Sequence, residues 1–155
     1  GNSGLMSVLA DSALAAGGEV IGVIPRFMIA KQQAHRGITE LIAVESMHER
    51  KHRMAEVADA FVALPGGIGT LEEVIEIFTW LQLGLHLKPV GLLNTDGFYD
   101  PLLRLLDHMR DEQFILPAHR AMLLVERGPE PLLDRLAATR HSPVPKPIYR
   151  SAEPK

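Results

Sequence analysis

Five short apolar runs rich in β-branched residues, at positions 19–24, 40–44, 60–64, 89–93 and 122–126, alternate with stretches of helical periodicity along 155 residues. That alternation narrows the fold more than any other feature. Strand and helix recur at the spacing of βαβ crossovers, so neighbouring strands are expected to run parallel with helices on both faces of the sheet. Runs such as EVIGVI and PVGLL show little apolar–polar alternation, as strands covered on two sides require. Helices are expected at residues 4–16, 47–58, 71–83, 99–112 and 130–139. Gly17 and Gly18 supply a helix stop, and Pro25 closes the first strand. Residues 26–38 hold no sustained period and read as a long connection at the carboxyl end of a strand, where such sheets often build a site wall. One domain over residues 1–140 is expected, followed by a proline-rich tail, HSPVPKPIYRSAEPK, at 141–155 that is extended or disordered.

Composition limits what such a fold binds. With 46% apolar residues the chain can bury one core. A net charge of −3 gives no basic excess, which argues against nucleic acid and for a small ligand. The absence of cysteine removes disulfides, thiolate zinc sites and cysteine nucleophiles together, and fits a reducing, cytoplasmic setting. Charges interrupt every long apolar stretch, so neither a membrane span nor a signal peptide is expected.

The most informative segment is Pro65-Gly66-Gly67-Ile68-Gly69-Thr70-Leu71-Glu72-Glu73, which joins an expected strand directly to an expected helix. Gly66, Gly67 and Gly69 allow positive φ and close approach of a ligand. Thr70 can cap a helix whose free N–H groups and dipole favour an anion. The segment reads as a phosphate cradle. It lacks a Walker lysine, and its glycine spacing differs from the G-x-G-x-x-G of dinucleotide folds, so ATP hydrolysis and NAD binding are disfavoured. Glu73, placed in the first turn, reads equally as a carboxylate stabilised by the dipole and as a group facing a ribose.

Upstream, Ser46-Met47-His48-Glu49-Arg50-Lys51-His52 opens a helix after another strand. Arg50 offers a planar fork and Lys51 a point charge, a pairing suited to a phosphorylated sugar, although charge runs are commonly solvated helix faces. His48-Glu49-x-x-His52 also matches the H-E-x-x-H zinc motif. Arg50 and Lys51 at its two inner positions would repel a dication, so no metal is expected.

These residues, M-H-E-R-K at 47–51 and P-G-G-x-G-T-x-x-E at 65–73, resemble the LONELY GUY family of cytokinin-activating phosphoribohydrolases. The likeness extends to GLM at 4–6, ADAFVALPGG at 58–67, TWLQLGLH at 79–86 and KPVGLLN at 88–94. It implies a Rossmann-like α/β fold and removal of ribose 5-phosphate from N6-substituted AMP to give a free cytokinin base, without a cofactor. The family's older label, lysine decarboxylase, implies a pyridoxal Schiff base, and nothing around Lys31, Lys51 or Lys88 suggests one. By resemblance Arg50 and Glu73 form the catalytic pair. Glu73 orients water or a ribose hydroxyl, and Arg50 positions Glu73 and the nucleotide. Lys51 with Gly66, Gly67, Ile68, Gly69 and Thr70 forms the cradle, and Met47 and Thr79 line the ligand. Gln32 stands where the family often has a glutamate that touches the ligand, and Ile68 where an aromatic is frequent. Family members usually begin with a further strand, helix and strand before the GLM helix.

The helix after the glycine loop is apolar around most of its circumference, which predicts full burial. The resemblance implies a homodimer with this helix near the two-fold contact. Two other readings compete with the hydrolase: a nucleotide-sensing module that keeps the Gly66–Thr70 cradle without turnover, and a zinc hydrolase using His48, Glu49 and His52.

Overall fold

The computed structural model describes residues 4–30 and 37–144. Gln32, Lys31, His35 and residues 145–155 of the expected tail lie outside the described residues. The chain divides after Ala58 into two compact units.

The first unit opens with α1 (Gly4–Ala15). It ends as its glycines predict: Gly17, at φ +79°, donates to Leu14, and Gly18 donates to Ala13, the paired bonds of a Schellman stop. Leu5, Met6, Val8 and Leu9 on this helix remain more than half exposed. Strands β1 (Ile21–Pro25) and β2 (Glu40–Val44) pair in parallel, with Ile21 opposite Glu40 and Pro25 opposite Val44. Pro25 is thus the last residue of the strand, fully buried, where a missing N–H is tolerated. The connection beginning at Arg26 is not irregular throughout, because residues 26–30 form a short helix, α2 (Arg26–Ala30). Helix α3 (Met47–Val57) packs back onto both strands.

The second unit holds β3 (Phe61–Ala63), β4 (Val90–Leu93) and β5 (Leu123–Glu126), parallel and in that spatial order. Helix α4 (Ile68–Gln82) crosses from β3 to β4, while α5 (Asp100–Asp111) and the short α6 (Pro117–Ala121) lead to β5. Helix α7 (Pro129–Ala138) follows and places Leu132 and Leu136 against Leu124, with Ala60 and Leu93 beside them. An added Cβ at Gly91 would lie 2.8 Å from Leu132 Cδ1, so glycine lets α7 approach β4 closely there. Val90 and Leu92, which alternate with Gly91, are completely buried. Each buried leucine contributes about 1.5–3 kcal/mol, so the sheet and its covering helices supply this unit's core.

The described strands pair in parallel as β1–β2 in the first unit and as β3–β4–β5 in the second. One expectation changes. Helix α4 is not fully buried: Val74, Ile77, Phe78 and Leu81 form one buried stripe at helical spacing, while Leu71 and Leu83 are exposed. The α/β class with parallel strands and flanking helices stands.

Candidate functional site

In the second unit the strand β3 ends at Ala63, and the chain passes through Leu64 and Pro65 to Gly67, the N-cap of α4. The cap makes no side-chain hydrogen bond, and the first helical bond runs from Leu71 N to Gly67 O at 3.1 Å. The amides of Ile68, Gly69 and Thr70 therefore precede the first intrahelical partner and point out of the helix end. Gly66, Gly67, Ile68 and Gly69 are exposed, and a Cβ at Gly67 or Gly69 would meet nothing within 4 Å. This open row of amides at the positive end of a 15-residue helix suits an anion.

Three details correct the sequence reading. None of Gly66, Gly67 and Gly69 takes positive φ, so their glycine character serves closeness and not a left-handed turn. Gly66 illustrates it: a Cβ there would collide with Thr70 Oγ1 and sit 2.8 Å from Thr70 Cβ. Thr70 is not the cap, because the helix starts two residues before it and Gly67 holds that position. Glu73 consequently lies in the second turn, half-buried, and its carboxylate is not explained by capping. It stands one turn along from Thr70, on the same side of the helix. Thr79 is exposed, and its hydroxyl donates to Ile75 O at 2.7 Å within the helix.

In the first unit Ser46 caps α3, accepting from Glu49 N at 3.1 Å, while Glu49 Oε2 accepts from Glu45 N at 2.7 Å. This reciprocal arrangement is a capping box displaced by one residue. It gives Glu49 a structural task, and His52 pairs with Glu56 at 3.2 Å. Among the described residues no group of three or more metal-ligating side chains converges. Arg50 and Lys51 are not a solvated face. Lys51 is the buried residue of α3, and half-buried Arg50 donates from Nε to Val23 O on β1 at 3.1 Å. Met47, at the start of α3, is exposed. Gln32 lies outside the described residues.

One contact at the glycine loop had no motif to announce it. Buried Tyr99, at the N-cap of α5, donates its hydroxyl to Leu64 O at 2.5 Å, reaching the entrance of the glycine loop across 35 residues of sequence.

Parallel α/β units with an exposed glycine loop at the carboxyl end of a strand define a protein of the Rossmann-like class. A family model described as "Possible lysine decarboxylase" matches residues 6–136. The chain belongs to this family, the LONELY GUY family of the sequence resemblance. It is 53% identical over 123 residues to the cytokinin riboside 5'-monophosphate phosphoribohydrolase of Rhodococcoides fascians, covering 79% of this chain and 62% of that protein. It is 46% identical over 138 residues to the cytokinin riboside 5'-monophosphate phosphoribohydrolase LOG5 of Arabidopsis thaliana, covering 89% and 60%. To the probable enzyme of the same description, LOGL6, from Oryza sativa subsp. japonica, it is 44% identical over 146 residues, covering 93% and 58%. The chain thus spans about six-tenths of the length of these curated relatives. Among the described residues no helix is long and apolar enough to cross a membrane.

Proposed function

We propose that this protein hydrolyses the N-glycosidic bond of a nucleoside 5′-monophosphate, AMP or N6-substituted AMP, releasing the base, a cytokinin when N6-modified, and ribose 5-phosphate. The observation that carries the reading is the run of open amides at Gly67–Thr70 with half-buried Glu73 one turn further along the same helix. In the proposed reaction a water oxygen bonds to C1′ of the ribose and the C1′–N bond breaks. The base leaves with that electron pair and takes up a proton. The amides of Gly67, Ile68, Gly69 and Thr70 hold the 5′-phosphate, with Gly66 giving Thr70 room and Lys51 adding positive charge. Glu73 orients the water and offsets the charge developing at the oxocarbenium-like sugar, and Arg50 supplies a planar fork to the nucleotide. Met47 and Thr79 line the bound ligand. The names of relatives 44% to 53% identical support the reaction class.

The protein acts in the cytoplasm as a homodimer, the assembly that the family resemblance implies. Sedimentation at micromolar concentration tests the assembly.

Incubation with AMP and with isopentenyladenosine monophosphate, with and without chelator, followed by chromatography for free base, tests the reaction. Release unaffected by chelator is expected. Binding without release would replace the hydrolase by a sensing module, and loss of release on chelation would restore the reading through His48, Glu49 and His52.

A further inference from the structure

The loop after β4 lies beside the glycine loop, because β3 and β4 are paired neighbours and both loops leave their carboxyl ends. It is an unusually constrained turn. Asp96, at φ 52°, and Gly97, at φ 74°, are both left-handed. A Cβ on Gly97 would sit 2.7 Å from Asp100 Oδ2, so glycine is needed there twice over.

Buried Asn94 holds this turn together. Its side-chain oxygen accepts from Tyr99 N at 2.7 Å, its side-chain nitrogen donates to Asp100 Oδ1 at 2.7 Å, and its main-chain N–H donates to Glu126 O at the end of β5, also at 2.7 Å. Tyr99 leaves the turn buried, 4% exposed as a residue, with its hydroxyl on Leu64 O. Leu64 precedes Pro65, which has no N–H to offer a neighbouring strand, so the carbonyl of Leu64 is a point at which the entering chain can be held.

We infer that Tyr99 is a positioning residue for the glycine loop: its hydroxyl fixes the Leu64 peptide, and through it the direction in which the Gly67–Thr70 amides face. The ligand consequence rests on the phosphate reading of that loop, whereas the structural consequence does not. Amides that must converge on one anion tolerate only about half an ångström of displacement, so a single anchoring bond at the loop entrance affects anion affinity selectively.

The test is Tyr99→Phe, which removes the hydroxyl and keeps the buried ring. Titration calorimetry with AMP and with adenosine is run with and without this substitution in Glu73→Gln protein, so that bound AMP is not consumed, together with amide hydrogen exchange on ligand-free protein. The expected result is AMP affinity lowered about tenfold, the equivalent of one hydrogen bond, with adenosine affinity unchanged. Exchange at residues 71–74, the first bonded turn of α4, is expected to quicken while that of α7 stays as it was. Unchanged AMP affinity, or an equal loss for AMP and adenosine, would overturn the inference. If the parent protein binds no AMP, the phosphate reading itself fails and the exchange experiment alone decides: quicker exchange at residues 71–74 upholds the anchoring role, and unaltered exchange removes it.

Discussion

Arg50 donates from its Nε to the main-chain oxygen of Val23 at 3.1 Å, which pins the root of the guanidinium to the last turn of strand before Pro25 and leaves its outer edge directed by that bond. A lysine can keep the charge but not the planar fork or the Nε donor. Arg50→Lys is therefore expected to lower the rate of base release from AMP by about 10²-fold, read as kcat with AMP. A variant turning over at the parent rate would remove Arg50 from the chemistry.

Glu73 gives a different signature. Because Glu73 lies in the second turn of α4 and not at its cap, Glu73→Gln leaves the N-terminus of the helix intact, and the variant should still unfold cooperatively. Its effect belongs in turnover, a fall of about 10²–10⁴-fold with AMP binding retained. Denaturant unfolding and calorimetry on the same preparation separate the two.

Gly69→Ala sets stability against binding. The added methyl meets no neighbour and relieves the glycine cost inside a helix, so the variant should gain up to about 0.5–1 kcal/mol. The same methyl stands among the amides assigned to the phosphate, so AMP affinity should drop. A more stable variant that binds AMP as well as the parent would place the phosphate elsewhere. Gly66→Ala, by contrast, drives into Thr70 Oγ1 and Cβ and should cost about 1–3 kcal/mol.

Ser46→Ala removes the cap of α3 and should cost about 1 kcal/mol of unfolding free energy. Glu49→Ala should act in the same direction, because its carboxylate serves Glu45 N, and base release by that variant should remain insensitive to chelator. Chelator-sensitive release in the parent would contradict this.

His86 couples stability to pH. Its Nδ1 accepts from Lys88 N at 3.1 Å while Nε2 meets Ile77 O at 3.0 Å, an arrangement that requires the neutral ring with its proton on Nε2. Burial, chiefly, holds its pKa below the usual 6.5, and His141 is lowered by burial and then by His86. The folded protein therefore binds fewer protons than the unfolded chain just below that value. The stabilising contribution is full above pH 6.5 and is lost as acid protonates the rings. Urea midpoints measured between pH 7.5 and about 5 should fall, and His86→Gln should flatten that fall.

How much of this was legible beforehand depended on length and on locality. All five strands and the five longer helices lie within about three residues of their expected places, because each carries enough apolar positions to show a period. Helices α2 and α6, at five residues each, are too short to show one, and α6 is announced only by Pro117 at its first position. That Gly66, Gly67 and Gly69 lie on the turn from a strand into a helix could be read from the periodic segments on either side. The cap of that helix could not, since Thr70 and Gly67 are both acceptable N-caps and only the backbone decides between them. The buried state of Lys51 and the Tyr99–Leu64 bond are tertiary facts. Nothing in R-K or in G-F-Y-D sets them apart from solvent-facing residues until the fold buries Lys51 and brings the Leu64 carbonyl to Tyr99.

The closeness of α7 to β4 carries a corollary for substitution. With only 2.8 Å available between a Cβ at Gly91 and Leu132 Cδ1, a larger residue at the first position needs the second to move or to shrink. Two sites 41 residues apart in sequence are thus coupled, and a variant at one is best repaired by a change at the other.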